Sequence, residues 1–377
     1  MTRSSHRIAD RMRLIDASGI RKVFDLAAKL PDPINLSIGQ PDFDVPEPVK
    51  AEAIKAIRRG NNKYTQTQGS AELRRAVAEA CAGEFGWPMP AGAAADDRLY
   101  LISSGVSGAL VLAMLALVNP GDEVVFADPY FVMYSHLVRL ADGVPVPVDT
   151  YDDFRPDVQR IADAITDKTR MLIVNSPCNP TGCVYSEQEL RDIADVAAKR
   201  DLLVISDEIY NLFCYDEPFV SMASIHENTL LMRGFSKSYG MTGWRLGWCT
   251  GPRKIIEKMT MLQQYSFVCA PSMAQMAVAK AFNVDMSDQA RAYKRKRDMV
   301  CEALGPAMGL VKPGGAFYAF VPAPGGDATA FVTRAIENNV LIIPGNVFSS
   351  RDTHFRLAYT TGDERLAQGL EVLVSLA

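Results

Sequence analysis

Lys237 stands in the run Gly234-Phe235-Ser236-Lys237-Ser238-Tyr239-Gly240-Met241-Thr242-Gly243-Trp244-Arg245-Leu246-Gly247, directly after an apolar segment that reads as a strand. A lysine amine held in a crevice condenses with an aldehyde. Asp207 and Tyr210, in Ser206-Asp207-Glu208-Ile209-Tyr210, and Asn179, in Asn175-Ser176-Pro177-Cys178-Asn179-Pro180-Thr181-Gly182, follow apolar segments of the same kind. A carboxylate beside a pyridine nitrogen keeps that nitrogen protonated, so that the ring takes up electrons from a carbanion. An amide and a phenol hydrogen-bond the ring oxygen of such a cofactor. Lys237, Asp207, Asn179 and Tyr210 fit these roles in turn. Each also has a plain structural reading: Asp and Asn at strand ends cap helices, and a lysine among small residues serves as a solvated loop residue. It is the four together that one scheme requires.

A fifth feature sits at another strand end. Ser103-Ser104-Gly105-Val106-Ser107-Gly108 follows a strand and opens a helix, which gathers free backbone N–H groups and the positive end of a helix dipole at one point. That combination suits a phosphate, and it also serves as ordinary strand-to-helix turn chemistry. Neither G-x-G-x-x-G nor G-x-x-x-x-G-K-[ST] occurs, so dinucleotide and nucleoside triphosphate readings lose support.

These residues need elements to bring them together. Strands are expected at 98–102, 123–126, 144–148, 170–174, 202–206 and 229–233, with helices between them at 106–118, 131–140, 157–165 and 187–199. The last opens on a capping box, Ser186 with Glu189. Helices at 47–59 and 71–85 precede the array and end at Gly60 and Gly86. Strand and helix in alternation is the pattern of a mainly parallel sheet covered on both faces, whose ligand crevice lies at the carboxyl ends of the strands. Helices at 252–267 and 285–304 follow. From Gly309 the rhythm changes to short strands at 317–320, 340–343 and 354–357 and helices at 328–338 and 363–376, a smaller α+β unit. The fold class expected is α/β: a large domain over 46–283, and a small domain formed by 1–45, with an amino-terminal lid segment, and 284–377.

Composition narrows the function. At 377 residues, 48% hydrophobic and 22% charged, the chain is long enough for one large core and a second, smaller domain. A net charge of −4 without a long basic block gives no footprint for nucleic acid or an anionic membrane. The apolar run 109–118 is too short to span a bilayer, and the amino terminus lacks the apolar stretch of a secretory signal. The seven cysteines are scattered and never form C-x-x-C, which argues against a disulfide framework or zinc cluster and for a reducing cytoplasm. None of the four histidines stands at metal-ligand spacing from another, so no metal is expected.

The chain resembles the class I/II aminotransferases among the fold-type I pyridoxal-phosphate enzymes, from about Ile34 to the carboxyl terminus. The segment Gly234–Gly247 matches that family's lysine signature at every defined position. Further matches are Asn35–Phe43, Tyr64 with Gly69, Leu73 and Arg74, Pro129-Tyr130-Phe131, Asn175–Gly182, Asp207–Tyr210, Pro313–Tyr318 and Phe355-Arg356-Leu357. The resemblance implies pyridoxal 5'-phosphate as cofactor, joined to Lys237 as a Schiff base, with Lys237 then acting as general base and acid. It implies Asp207 at the pyridine nitrogen, Tyr210 and Asn179 at the ring oxygen, and Phe131 rather than Tyr130 against the ring face. Gly105, Val106, Ser107, Ser236 and Arg245 would hold the phosphate. Arg356 would clamp the substrate α-carboxylate, with Gly39 permitting close backbone approach. Tyr64 would reach the phosphate of a partner subunit, so a homodimer with shared active sites is implied; in the segment Gly19–Asp25, which resembles a mobile lid helix, Ile20 would be either an apolar lid contact or a residue packing that helix onto the small domain.

There are departures. Gly234 replaces a serine or threonine common three residues before the lysine, and 109–118 carries no cation of the kind one subgroup uses for a distal carboxylate. The expected reaction moves an amino group from an L-amino acid to a 2-oxo acid with ping-pong kinetics. A β-lyase or related carbanion chemistry on amino acids shares the same machinery. A cofactor-sensing regulatory domain is a reading from another class; it would need a fused DNA-binding domain, for which there is no room or basic helix before Asp42.

Overall fold

The computed structural model describes residues 8–15, 19, 30–90 and 97–377. Its strands in chain order are β1 (Ile34–Asn35), β2 (Arg98–Ser103), β3 (Glu123–Asp128), β4 (Val144–Asp149), β5 (Thr169–Asn175), β6 (Leu203–Asp207), β7 (Thr229–Gly234), β8 (Gly247–Pro252), β9 (Tyr318–Pro322), β10 (Val340–Leu341), β11 (Ile343–Pro344) and β12 (His354–Ala358). Seven form one sheet in the order β2-β8-β7-β6-β5-β3-β4. Within it β8 runs antiparallel to both neighbours, while the pairs from β7 through β4 are parallel. The chain is therefore of the α/β class expected, with a mostly parallel sheet under helices.

The strand sequences follow their places. β6 and β7 lie mid-sheet and every one of their residues is buried, which is why Leu-Val-Ile-Ser-Asp and Thr-Leu-Leu-Met-Arg-Gly show no polar alternation. β4 is an edge strand, and there Pro145 and Pro147, which have no N–H to donate, are tolerated. β8 was not anticipated from the sequence. Its two glycines and proline are poor strand formers, yet it is paired on both sides and largely buried. The short helix Ser272–Val278 was likewise missed.

Helices form where caps and apolar stripes allow. Glu187–Lys199 carries the capping box of Ser186 and Glu189. Ala71–Phe85 begins at Ser70, whose hydroxyl accepts from the Leu73 N–H at 3.3 Å, and stops at left-handed Gly86. Gly105–Leu117 is buried along most of its length between the sheet and the helix Arg253–Ser266. Among the described residues, no helix is long and apolar enough to cross a membrane.

The carboxyl-terminal third forms a three-stranded antiparallel sheet, β11-β12-β9, beside a two-stranded parallel pair of β1 with β10. Ile34 pairs with Val340, so the chain start and the chain end share this region. Arg356 lies on the central strand β12, opposite Phe320 of β9 and Ile343 of β11. Buried Arg297, in helix Ser287–Met308, ties the region to the loop after β6 through two bonds to Asp216, at 2.8 and 3.0 Å.

Candidate active site

Register brings the chemistry together. Asn175 at the end of β5 pairs with Asp207 at the end of β6, Asp207 pairs with Met232 near the end of β7, and Gly234 and Ser103 both pair with Gly247. The loops after β2, β5, β6 and β7 thus open on one edge of the sheet, and the three-stranded sheet faces them. A cavity of about 160 Å³ lies there. Of the residues singled out from sequence, Val106, Ser107, Phe131, Asn179, Asp207, Tyr210, Ser236, Lys237 and Arg245 all line it. A wider cleft of about 600 Å³ between Ala71–Phe85 and Arg253–Ser266 collects Arg74, Arg98 and Arg253 but no lysine.

Asp207 is buried, and its Oδ2 accepts from the Tyr134 hydroxyl at 2.7 Å. The Ile209 N–H approaches Oδ1 at 3.4 Å. Burial pushes the carboxyl up to about 6 against the pull of these two donors, and neighbouring Glu208 adds to the rise. Glu208 itself is held by Arg233, whose Nε donates at 2.8 Å, and by the hydroxyls of Ser206 and Ser221.

Lys237 Nζ donates to the Gly39 carbonyl at 2.5 Å. Burial, then the charges of Arg356 and Arg245, bring the ammonium down to about 8. A lysine so placed spends an appreciable fraction of time as the neutral, nucleophilic amine near physiological pH.

Arg356 is buried, with Nη1 donating to Asn179 Oδ1 at 3.0 Å and Nη2 to the Ser37 carbonyl at 2.7 Å, while Nε has no partner. No carboxylate of the described residues pairs with it, and burial lowers its proton affinity. Asn179 is fixed in turn, because its N–H donates to Asn175 Oδ1 at 2.9 Å and Asn175 Nδ2 donates to the Asp207 carbonyl at 2.9 Å.

At the start of Gly105–Leu117, Gly105 has a left-handed φ of 71°, and a Cβ there would lie 2.9 Å from Arg245 Nη2. Arg245 Nη2 in turn reaches Ser107 Oγ at 3.5 Å, and Nη1 donates to the Thr242 carbonyl at 3.0 Å. A Cβ at 234 would lie 2.9 Å from Ile209 Cδ1 and 3.3 Å from Val106 Cγ2, so a side chain there would require the Ile209 tip to shift.

Other sequence-derived residues are placed as follows. Phe131 lines the cavity while Tyr130, packed edge-on to Phe126, does not. Tyr64 stands 84% exposed and off the cavity. Ile20 lies outside the described residues. Gly39 borders the site through its carbonyl, and a Cβ at 39 would fall 1.9 Å from the Tyr318 hydroxyl. Sequence reasoning missed the roles of Tyr134 and Tyr318. Tyr134 comes three residues after Phe131, a spacing that puts both on one face of a helical turn and was the available signal.

Comparison with known proteins gives the family. The family described as aminotransferase class I and II matches residues 31–373. The chain is 38% identical to an aspartate aminotransferase of Pyrococcus abyssi, over 97% of this chain and 96% of that one. It is 37% identical to aromatic-amino-acid aminotransferase 2 of Thermococcus litoralis, again over 97% and 96%. The structure of Thermus thermophilus aspartate aminotransferase with maleate superimposes with a TM-score of 0.91 at 34% identity, covering 98% of this chain and 99% of that one. With a family match over residues 31–373, relatives matched along nearly their whole length and the same fold, the chain belongs to the class I and II aminotransferases.

Proposed function

We propose that Lys237 is the attachment point of pyridoxal 5'-phosphate, and that the cavity around it moves an amino group from an L-amino acid to a 2-oxo acid in two half-reactions. The family uses this cofactor. The observation that carries the reading is that the Lys237 amine and the Asp207 carboxylate line one cavity.

The residues present fit the group. Its phosphate suits the opening of Gly105–Leu117, where Ser107, Ser236 and Arg245 converge and where a Cβ at 105 would crowd Arg245. When bound, the cofactor supplies an electron sink for a substrate carbanion and a carrier for the amino group. Asp207 would hold the proton of the ring nitrogen, the Tyr210 hydroxyl and Asn179 amide would bond the ring oxygen, and Phe131 would cover a ring face. Lys237 would move the proton at the substrate Cα; its affinity near 8 suits both directions of that transfer. Arg356 takes the α-carboxylate that both substrates share, a buried guanidinium without an acid partner being suited to it.

The chain works as a homodimer in the cytoplasm, and Tyr64 reaches the partner's site. Support for the dimer comes from exposed apolar side chains near Tyr64, among them Met261, Tyr265 and Phe267; the Tyr64 segment is tied to their helix by Gln263 Nε2, which donates to the Thr67 carbonyl at 2.6 Å. Residues 46–283 form the cofactor-binding domain, and 1–45 with 284–377 form the small one.

The test is the absorbance of the purified protein while aspartate, aromatic, alanine and sulfur amino acids are added singly. A visible band lost with a donor and restored by a 2-oxo acid is the expected result. Pyruvate and ammonia released without an acceptor would overturn transamination.

A further inference from the structure

Tyr318 begins β9 with its side chain only 2% exposed. It does not line the cavity, yet it touches two residues that do the work proposed above, Tyr210 and Arg356. Its hydroxyl lies 3.0 Å from the Tyr210 hydroxyl. Its ring centre is 4.5 Å from the Arg356 guanidinium carbon, which also lies 4.7 Å from the Phe348 ring. Its hydroxyl also occupies the space that a side chain at Gly39 would need.

We propose that Tyr318 is a positioning residue for transamination, whose hydroxyl sets the direction of the Tyr210 hydrogen bond and whose ring fixes the plane of the Arg356 guanidinium. The inference rests on the roles given to Tyr210 and Arg356 under the proposed function.

The two phenols hold one proton each, and a hydroxyl donates once. For Tyr210 to donate into the cavity, its contact with Tyr318 must run the other way, with Tyr318 donating to the Tyr210 oxygen. Such a chain polarises its members, so the outer donor strengthens the inner one. For Arg356, two in-plane bonds to Asn179 and Ser37 leave tilt about their axis open, and a ring against the guanidinium face closes it. Bidentate grip of a carboxylate depends on that plane. The missing side chain at Gly39 leaves the Tyr318 hydroxyl the space it occupies.

Hydroxyl and ring therefore separate in kinetics. Tyr318→Phe keeps the ring: KM for the donor stays within about twofold, while kcat falls about tenfold and the visible band of the loaded protein changes position. Tyr318→Leu loses both, so KM rises about tenfold for donor and 2-oxo acid alike, because both present the same carboxylate. Wild-type kcat and band position in Tyr318→Phe, or wild-type KM in Tyr318→Leu, would overturn the inference. Melting temperature checks the fold; should the Leu variant not fold, the Phe variant, which lacks one oxygen atom, still decides the Tyr210 half, and Tyr318→Trp, which keeps a ring, then tests the Arg356 half by its KM. A wild-type protein with no visible band sinks the proposed function itself, whereas a normal band with unchanged kinetics in the variants sinks only the role of Tyr318.

Discussion

The Tyr134 hydroxyl and Asp207 Oδ2 are joined by a 2.7 Å hydrogen bond inside the protein, and this bond opposes the burial that favours the neutral acid. Removing the donor with Tyr134→Phe raises the carboxyl further above about 6, so at neutral pH less of it is ionised. Cofactor affinity and kcat are expected to fall by about tenfold to a hundredfold at pH 7, the scale of a lost bond to a charged group, and to recover in part at pH 8.5. Equilibrium dialysis and a pH–rate profile check this.

Asp207 also links function to stability. Its folded affinity near 6 lies above the ordinary 3.8, so its stabilising share is full below 3.8 and is lost as pH rises to 6. Cofactor-free Asp207→Asn is therefore expected to be more stable than the parent at pH 7, by on the order of 1–3 kcal/mol, with the gap closing at pH 4. Denaturant titrations at the two pH values measure it, and the same variant should lose turnover.

Cofactor uptake reports the lysine. The attacking species is the neutral amine, whose fraction grows as pH rises through about 8. The rate at which cofactor-free protein gains its visible band should rise between pH 7 and 9 and level off above. A rate still climbing steeply beyond pH 10 would indicate an ordinary, solvated lysine.

Much of this was legible because the chemistry clusters at strand ends, and strand ends are marked by where apolar runs stop. Lys237, Asp207 and Asn179 could be placed at a crevice before any coordinates, and the boundaries of helices such as Glu187–Lys199 followed from their caps. β8 was not legible, since Gly-Trp-Cys-Thr-Gly-Pro has the composition of a turn and becomes a strand only by pairing with β2 and β7. Tyr134 and Tyr318 were hidden for another reason: each meets its partner across the fold, 73 and 108 residues away, and the spacing of Tyr134 from Phe131 marks a shared face but not the contact with Asp207.

Arg356→Lys tests carboxylate recognition. A lysine keeps the charge and loses the planar fork, so KM for both substrates should rise by about tenfold to a hundredfold while the visible band of the resting protein stays in place. An unchanged KM for the donor amino acid would assign carboxylate binding elsewhere.

The most direct test of the account is to reduce the cofactor-loaded protein with borohydride, digest it and locate the modified peptide by mass spectrometry. The added mass of the reduced cofactor is expected on Lys237 alone. Modification of a different lysine, or none at all in protein that turns over amino acids, would contradict the central claim.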